Sequence, residues 1–132
     1  MKYFMLLLIL SITLLASNTV KMGDLEWQDD SQAKTTQLNW SDAKEYCQEL
    51  SLSDYDDWRL PNIKELQSIA NVNRYNPAIK RGFTKVTSSF YWSSSEDVSD
   101  ANDALIVDFE YGYTNDRTKT NENFVRCVRA RQ

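Results

Sequence analysis

The sequence predicts an α+β domain in which two short helices pack on a small twisted antiparallel sheet with long loops. Three observations support this fold class. A short strand-like segment is followed by two amphipathic helical segments, and several strand-like segments follow a long loop. The two cysteines lie in the first predicted helix and the last predicted strand. The chain is therefore expected to form one core with its beginning and end close together.

The N-terminus has the pattern of a secretory signal peptide. Lys2 is followed by an apolar run over residues 4–16, interrupted only by Ser11 and Thr13, and then by polar residues 17–19. The run is shorter than the ~20 residues that span a bilayer. We therefore predict a signal peptide over residues 1–19, a domain over residues 20–132, a secreted or periplasmic location and no stable membrane span after cleavage. An uncleaved anchor is the alternative.

The charge balance excludes one class of partner. The chain has 15 Lys and Arg against 19 Asp and Glu, a net charge of −4, and no histidine. Its basic C-terminal cluster contains Arg126, Arg129 and Arg131, and strand alternation places Arg126 on the opposite face from the other two. Nucleic-acid binding requires clustered Lys and Arg, so no nucleic-acid partner is expected.

The cysteines Cys47 and Cys127 indicate a disulfide. An even number of cysteines in an exported chain favours pairing, and the bridge would close a loop of about 80 residues. The alternative, two free or metal-binding thiols, lacks further ligands because the chain has no histidine and no third cysteine.

The first elements are a strand and a capped helix. Residues 25–28 alternate apolar and polar and predict a strand, and residues 29–37 are polar and turn-like. Asn39 is the predicted N-cap of a helix that ends near Leu50, with its apolar face formed by Trp40, Ala43, Cys47 and Leu50.

The stretch 57–66 is the predicted structural hub, with Trp58, Arg59, Pro61, Asn62 and Glu65 as its main residues. Pro61 favours an extended residue before it, so a helix cannot run through this point. Asn62 and Glu65 have the spacing of a capping box for a helix over residues 62–70. Arg59 is expected to bond main-chain carbonyls or a carboxylate such as Asp56 or Asp57, with ligand binding as the alternative.

The second half is predicted to be mostly strands. Residues 71–89 lack a sustained period and predict a long loop packed by Ile79, Phe83 and Val86. The predicted strands and connections are a strand over 90–94, an acidic loop over 95–102, a central strand over 104–109, a tight turn at Tyr111-Gly112, a returning strand over 113–117 and a last strand over 124–130.

Several motifs resemble one bacterial family when taken together. They are Leu25-Glu26-Trp27-Gln28-Asp29, Asn39-Trp40-Ser41-Asp42-Ala43, Trp58-Arg59-Leu60-Pro61, Tyr91-Trp92-Ser93-Ser94-Ser95, Val107-Asp108-Phe109 and Val125-Arg126-Cys127-Val128-Arg129. In this order they resemble the Lcl C-terminal-like domain family, long catalogued as a domain of unknown function. The resemblance covers residues 24–131.

The resemblance implies a C-type-lectin-like fold, similar also to the formylglycine-generating enzymes, with a helix cysteine paired to one in the last strand. It also implies a surface or secreted protein, some relatives being adhesins that bind sulfated polysaccharides. The acidic balance of this chain is poorly suited to such an anionic polymer, and the chain has no collagen-like repeat.

Catalysis is not expected. The chain has no histidine, no Gly-x-Ser-x-Gly motif and no cysteine left free by the predicted bridge, so the usual nucleophile and base pairs are absent. Glycoside hydrolysis by paired carboxylates is the alternative. No catalytic residue and no required cofactor are therefore predicted.

Two groups of residues are candidate binding sites. A weak calcium site is suggested by Glu96, Asp97, Asp100 and Asp103, with Asn102 in the same loop; solvation of the loop is the competing interpretation. A sugar or protein site is suggested by Tyr91, Trp92, Tyr111 and Tyr113, with burial in the core as the alternative for the first two. The predicted function is an adhesin-like binding module for a glycan or protein partner at the cell surface, and the alternative is a structural module of an envelope or secretion apparatus.

Overall fold

A computed structural model describes residues 17–132. The predicted signal peptide, residues 1–19, lies outside the described residues except for its last three. Thr19 begins the first strand of the fold. Within the described part of the chain, none of the helices combines the length and the apolar character needed to cross a bilayer.

Residues 17–132 form two sheets and three short helices. The first sheet has the spatial order β1 (Thr19–Met22), β2 (Leu25–Gln28) and β8 (Val128–Ala130). The second has the order β3 (Gln37–Leu38), β7 (Asn123–Phe124), β4 (Phe90–Glu96), β5 (Asp103–Asp108) and β6 (Tyr113–Thr118). The helices are α1 (Ser31–Thr35), α2 (Trp40–Glu49) and α3 (Ile63–Ser68). All strand pairs are antiparallel except the short parallel pair of β4 with β7. The α+β fold class is confirmed.

The second sheet has an apolar core on each face, as the two apolar faces of the central strand predict. In β4 and β5, Trp92 lies opposite Ile106 on one face and Tyr91 lies opposite Val107 on the other. The first pair packs with α2 and the disulfide, and the second pair packs with α3 and β2. All four side chains are fully buried because neighbouring residues of a strand face opposite cores.

Helix α2 begins and ends as the sequence predicts. The side chain of Asn39 accepts a hydrogen bond from the amide of Asp42, and the helix presents Trp40, Ala43 and Cys47 to the core. Helix α1 was not predicted. Its N-cap is Asp30, and Ala33 is its only buried residue, so its sequence has no apolar period that could reveal it.

The hub begins helix α3 with the predicted capping box. The amide of Glu65 donates to Asn62 Oδ1 at 2.8 Å, and Glu65 Oε1 accepts from the Asn62 amide at 2.9 Å. Pro61 precedes the cap, and its carbonyl accepts the amide of Ser94 in β4. The start of α3 is thereby fixed to the second sheet.

Arg59 bonds a different carboxylate from the expected ones. Its guanidinium donates two hydrogen bonds to Glu65, at 2.7 and 2.8 Å, and this fork lowers the pKa of Glu65. Glu65 is available because the capping box turns its carboxylate back toward the hub. Asp57 instead pairs with Arg129 at 2.6 Å, which lowers the pKa of Asp57.

The hub also connects to the end of the chain. The amides of Arg59 and Val128 each donate to the carbonyl of the other, at 2.9 and 2.8 Å. The indole N–H of Trp58 donates to the carbonyls of Leu52 and Tyr55, so this buried ring orders the preceding turn. The hub therefore joins β8, α3 and β4.

The prediction of one last strand over residues 124–130 is wrong. Residues 124–130 divide into β7 in the second sheet and β8 in the first, with three residues between them. Arg126 lies in that crossing segment and is fully buried, and Arg129 in β8 is 4% exposed. The two side chains do face different surroundings, but neither belongs to an exposed basic cluster.

Each buried arginine is neutralised by acidic residues of the first half of the chain. Arg126 Nη1 lies 3.1 Å from Asp29 Oδ1, and Arg129 Nη1 lies 2.8 Å from Glu26 Oε1. These ion pairs join residues about one hundred positions apart, next to β2. They are buried connections between the start and the end of the domain.

The predicted disulfide is confirmed. Cys47 and Cys127 are bonded, both are fully buried, and they are 80 residues apart in the sequence. The bridge joins α2 to the segment between the two sheets. The amide of Gln28 in β2 also donates to the Cys127 carbonyl, so the bridge lies where both sheets meet.

Candidate functional site

Two of the four predicted ligand-binding aromatics are core residues. Tyr91 and Trp92 are fully buried, and their polar atoms are satisfied inside the domain. The Tyr91 hydroxyl donates to the Ala33 carbonyl at 2.7 Å, and the Trp92 indole N–H donates to the Leu38 carbonyl at 2.8 Å. The ligand-binding prediction for these two residues is therefore wrong, because both faces of their sheet are covered.

Tyr111 lies on the surface, in contact with a tyrosine that the sequence did not single out. The rings of Tyr75 and Tyr111 are 5.3 Å apart between centroids and are tilted by 39°. Tyr75 is 62% exposed, Tyr111 is 48% exposed, and the neighbouring Val72 is 61% exposed. We call these three residues, together with Glu110, the tyrosine surface.

Glycine at position 112 allows the two loops of this surface to approach each other. Gly112 has φ +92°, a conformation that side chains with a Cβ rarely adopt. A Cβ at this position would lie 3.3 Å from both Ala78 Cβ and Val72 Cγ1. The loop carrying Val72 and Tyr75 therefore packs directly against the backbone of the β5–β6 turn.

Hydrogen bonds of Glu110 join the same two loops and order the β5–β6 turn. The Asn76 amide donates to the Glu110 carbonyl at 3.0 Å, and the Glu110 amide donates to Asp108 Oδ1 at 2.8 Å. The Tyr75 hydroxyl lies 3.3 Å from Glu110 Oε1. The pKa of Tyr75 is raised, first by the neighbouring Tyr111 side chain and then by the negative charge of the Glu110 carboxylate.

Tyr113 is exposed but does not share this arrangement. It is 64% exposed and begins β6 opposite Asp108. Residues paired across neighbouring strands share a sheet face, so Tyr113 and Asp108 lie on the same face as Phe90. This is the face that packs against α2. Its role in ligand binding stays a prediction.

The acidic loop forms a carboxylate cluster that differs from the predicted one. Asp97, Asp103 and Asp116 each offer a carboxylate oxygen, and these oxygens lie within 4.8 Å of one another. Asp116 lies on β6 and was missed because it joins the loop only through the pairing of β5 with β6. The predicted ligands Glu96 and Asp100 bond elsewhere: Glu96 lies 3.4 Å from Lys119 Nζ, and Asp100 accepts the amide of Asn102. Calcium in this loop stays a prediction.

A comparison with protein families gives the identity of the domain. A family model described as the Lcl C-terminal domain matches residues 21–129. This chain belongs to that family. The matched range includes both cysteines, the hub and the tyrosine surface of this Lcl C-terminal domain. A comparison with curated proteins found no match.

A polar cleft lies on the first sheet of the Lcl C-terminal domain, away from the tyrosine pair. It has a volume of about 190 Å³ and is lined by Lys21, Glu26, Tyr55, Arg129, Arg131 and Gln132. Its central guanidinium, Arg129, is already paired with Glu26 and Asp57 and lies 3.5 Å from the centre of the Tyr55 ring. The cleft is smaller than the ~300–1,000 Å³ of typical small-molecule sites. The central charged groups of the cleft, Arg129 and Glu26, are occupied by an ion pair with each other. The tyrosine surface is therefore the stronger candidate for ligand binding.

The carboxylate cluster predicts a pH dependence of stability. The pKa of Asp103 is raised above its usual value. The largest cause is partial removal from water, followed by a hydrogen bond with Asp116 and by the charges of Asp100 and Asp116. The folded chain therefore binds this proton more tightly than the unfolded chain does. The stabilisation is complete below the unfolded-state pKa and is lost as the pH rises through the folded-state pKa.

Asp103→Asn should accordingly raise the melting temperature at pH 7, because the amide removes one negative charge and still offers Asp116 a hydrogen bond. The gain should disappear near pH 3, where the native carboxyl is protonated. Thermal unfolding at the two pH values measures both effects, with the exposed Asp56→Asn as control. A variant that melts below the native protein at pH 7 would contradict this account.

Proposed function

We propose that this Lcl C-terminal domain is an exported binding module without catalytic activity, and that it recognises a glycan at the cell surface through the tyrosine surface. The observation that supports this most directly is the pair of exposed rings of Tyr75 and Tyr111, held in contact by a tight turn. Exposed aromatic rings stack on the apolar faces of sugar rings, and a nearby carboxylate accepts hydrogen bonds from sugar hydroxyls.

The location outside the cytoplasm is supported by two features. The N-terminal pattern over residues 1–19 is typical of a cleaved signal peptide. The buried disulfide fits an oxidising compartment, since disulfides are rare in most cytosolic proteins. A secreted or periplasmic domain with a surface ligand is consistent with an adhesin-like role.

The absence of catalysis is part of the proposal. The sequence has no histidine, and both of its cysteines are used by the disulfide. The side chains that contact one another at the tyrosine surface are two tyrosines and one glutamate. This set suits ligand binding, and it lacks the paired nucleophile and base of covalent catalysis.

A protein-binding role has a separate observation in its favour. Within residues 17–132, strand β6 is an edge of the second sheet, pairs only with β5, and has mostly exposed side chains. Edge strands present unpaired backbone groups to which another chain can add a strand. The second candidate function is therefore a structural or interaction module of an envelope or secretion apparatus, which binds a protein and no glycan.

Glycan-array binding tests the first function. Tyr75→Ala and Tyr111→Ala should each reduce the affinity for the bound glycan about tenfold or more, because each variant removes one of the two stacking rings. Tyr113→Ala is a separate arm that tests whether the site extends onto β6. Val98→Ala is the control, since Val98 is fully exposed on the acidic loop and should leave binding unchanged.

An array without glycan binding would point to the second candidate function. If the array shows no binding while a pull-down yields a stable protein partner, the second candidate function is favoured. In that case substitutions in β6, for example Thr114→Pro, should release the partner, because proline removes a backbone donor at the edge.

A further inference from the structure

Glu110 is a carboxylate of the tyrosine surface that forms no ion pair with any Lys or Arg of residues 17–132. Among residues 17–132, the acidic side chains with a Lys or Arg nitrogen within 4.0 Å are Glu26, Asp29, Asp57, Glu65 and Glu96. Within the same range, the hydrogen-bond donor to the Glu110 carboxylate is the Tyr75 hydroxyl, at 3.3 Å. The guanidinium of the adjacent Arg74 is directed elsewhere, since Arg74 Nη1 donates to the Ile79 carbonyl at 2.8 Å.

The site around Glu110 is electronegative. The carboxylate lies beside Tyr75, whose ring packs against that of Tyr111, and the faces of aromatic rings carry negative electrostatic potential. Asp108, which accepts the Glu110 amide, adds a second negative charge at the same turn. Such a surface attracts cations and repels sulfate and carboxylate groups.

We propose that the ligand of the tyrosine surface is a glycan whose sugar units carry free ammonium groups. The sugar ring packs on Tyr75 and Tyr111, and its ammonium group lies against the Glu110 carboxylate and the ring faces. This inference rests on the proposed function and names the ligand class of the same site. An ammonium group on a sugar satisfies both features of the surface at once, through cation–π attraction and a charge-assisted hydrogen bond.

The size of the surface favours a sugar over a cationic protein segment. A stable protein interface buries about 800 Å² on each partner. The contiguous exposed apolar side chains here are Val72, Tyr75 and Tyr111. Among residues 17–132, the other large exposed apolar residues are Tyr55 and Val98, on other loops, and Tyr113, which begins β6 on the sheet face that packs against α2. Two adjacent rings match one or two sugar units and are too small for a protein interface of that size.

The test compares two glycans with the same sugar backbone, one with free amines and one with every amine acetylated and therefore uncharged. The probes are a β-1,4-linked glucosamine hexamer and its fully N-acetylated counterpart, with heparin as an anionic glycan. The full chain should bind the amine hexamer about five- to tenfold more tightly than the acetylated hexamer, and heparin most weakly. The preference should decline with added sodium chloride, because the ion pair is partly exposed.

Glu110→Gln provides the matched variant. It keeps the backbone bonds to Asn76 and Asp108 and removes only the charge, so it should reduce the preference for the amine hexamer to about twofold or less. Glu122→Gln is the control: it makes the same change in net charge on an exposed side chain, beyond the far end of β6 from Tyr113. Thermal unfolding verifies that both variants are folded.

The outcomes separate this inference from the proposed function. If both hexamers bind equally and Tyr111→Ala binds neither, the proposal of an ammonium-bearing ligand is overturned, while the proposal of glycan binding is retained. Binding of neither hexamer, together with an array without signal, would overturn both proposals. Binding of a lysine-rich peptide in preference to the amine hexamer would show that the cation belongs to a protein, and would also overturn the inference.

Discussion

Replacing both Cys47 and Cys127 by alanine should lower the free energy of unfolding by about 4–5 kcal/mol. The two residues are separated by 80 positions. Closing a loop of this length removes that much conformational free energy from the unfolded chain in the chain-entropy account. Small domains have total stabilities of about 5–15 kcal/mol, so the double variant should be only marginally folded.

Urea unfolding of the native protein and of the double variant measures this difference. The double variant is preferable to a single replacement because it leaves no free thiol. The native protein in reductant should approach the variant. Mass spectrometry of the natively purified protein after alkylation, with and without reductant, reports the cysteine state, and the mass of the N-terminal peptide tests the proposed signal cleavage. Alkylation of both cysteines without reductant, or equal urea midpoints, would contradict the role given to the bridge.

The large effect has a structural reason beyond loop length. The bridge joins α2, which packs on the second sheet, to Cys127, whose carbonyl accepts the Gln28 amide of the first sheet. The residues that follow Cys127 form β8 and bond to the hub at Arg59. Loss of the bridge therefore loosens the junction of the two sheets rather than one local contact.

The elements that the sequence predicted well are those with local signals. Asn39 caps α2, and Asn62 and Glu65 form the capping box of α3, because capping depends on side chains three positions apart. The two apolar faces of β5 also follow from adjacent residues. In each case, the physical cause lies within a few residues of its effect.

The features that no local sequence pattern marks depend on distant parts of the chain. Arg126 and Arg129 are buried because Asp29, Glu26 and Asp57 neutralise them, and no local pattern marks these partners. Likewise, Tyr75 lies in a loop without periodicity, and its ring meets Tyr111 only after folding.

The two corrected aromatics of the candidate site have a similar explanation. Alternation along β4 shows that Tyr91 and Trp92 face opposite ways, but it does not show that both faces are covered. α3 and the loop over residues 71–89 cover one face, and α2 covers the other. A signal for Tyr75 was available only in its surroundings, since Asn76-Pro77 and Gly112 mark turns that could approach each other.

Asp29→Ala should destabilise the fold by about 3–5 kcal/mol, although the position lies outside every predicted site. Asp29 is 2% exposed and bonds Arg126 at 3.1 Å. Its carboxylate also accepts the amides of Thr84 and Lys85, at 3.1 and 3.0 Å, and the Thr84 hydroxyl at 3.1 Å. Removing one partner of a buried ion pair leaves the other charge uncompensated, which is the costly case.

This cost has two parts, the unpaired charge of Arg126 and the lost acceptor for the amides of Thr84 and Lys85. Further variants can separate them. Asp29→Asn keeps an acceptor oxygen for the loop amides and removes the charge that faces Arg126. Asp29→Ala/Arg126→Met removes the unpaired charge but leaves the amides of Thr84 and Lys85 without their acceptor. A double-mutant cycle that includes Arg126→Met gives the coupling energy between the two charges.

Urea unfolding of these variants at pH 7 measures the free-energy cost of each change. The control is Asp56→Ala, at an exposed position, which should change stability by less than about 0.5 kcal/mol. We expect the double variant to be more stable than Asp29→Ala, because a buried charge without a partner costs more than an apolar replacement of both groups. If Asp29→Ala unfolds within about 1 kcal/mol of the native protein, solvent must reach Arg126. The crossing segment between β7 and β8 would then be open rather than sealed against the loop that carries Thr84.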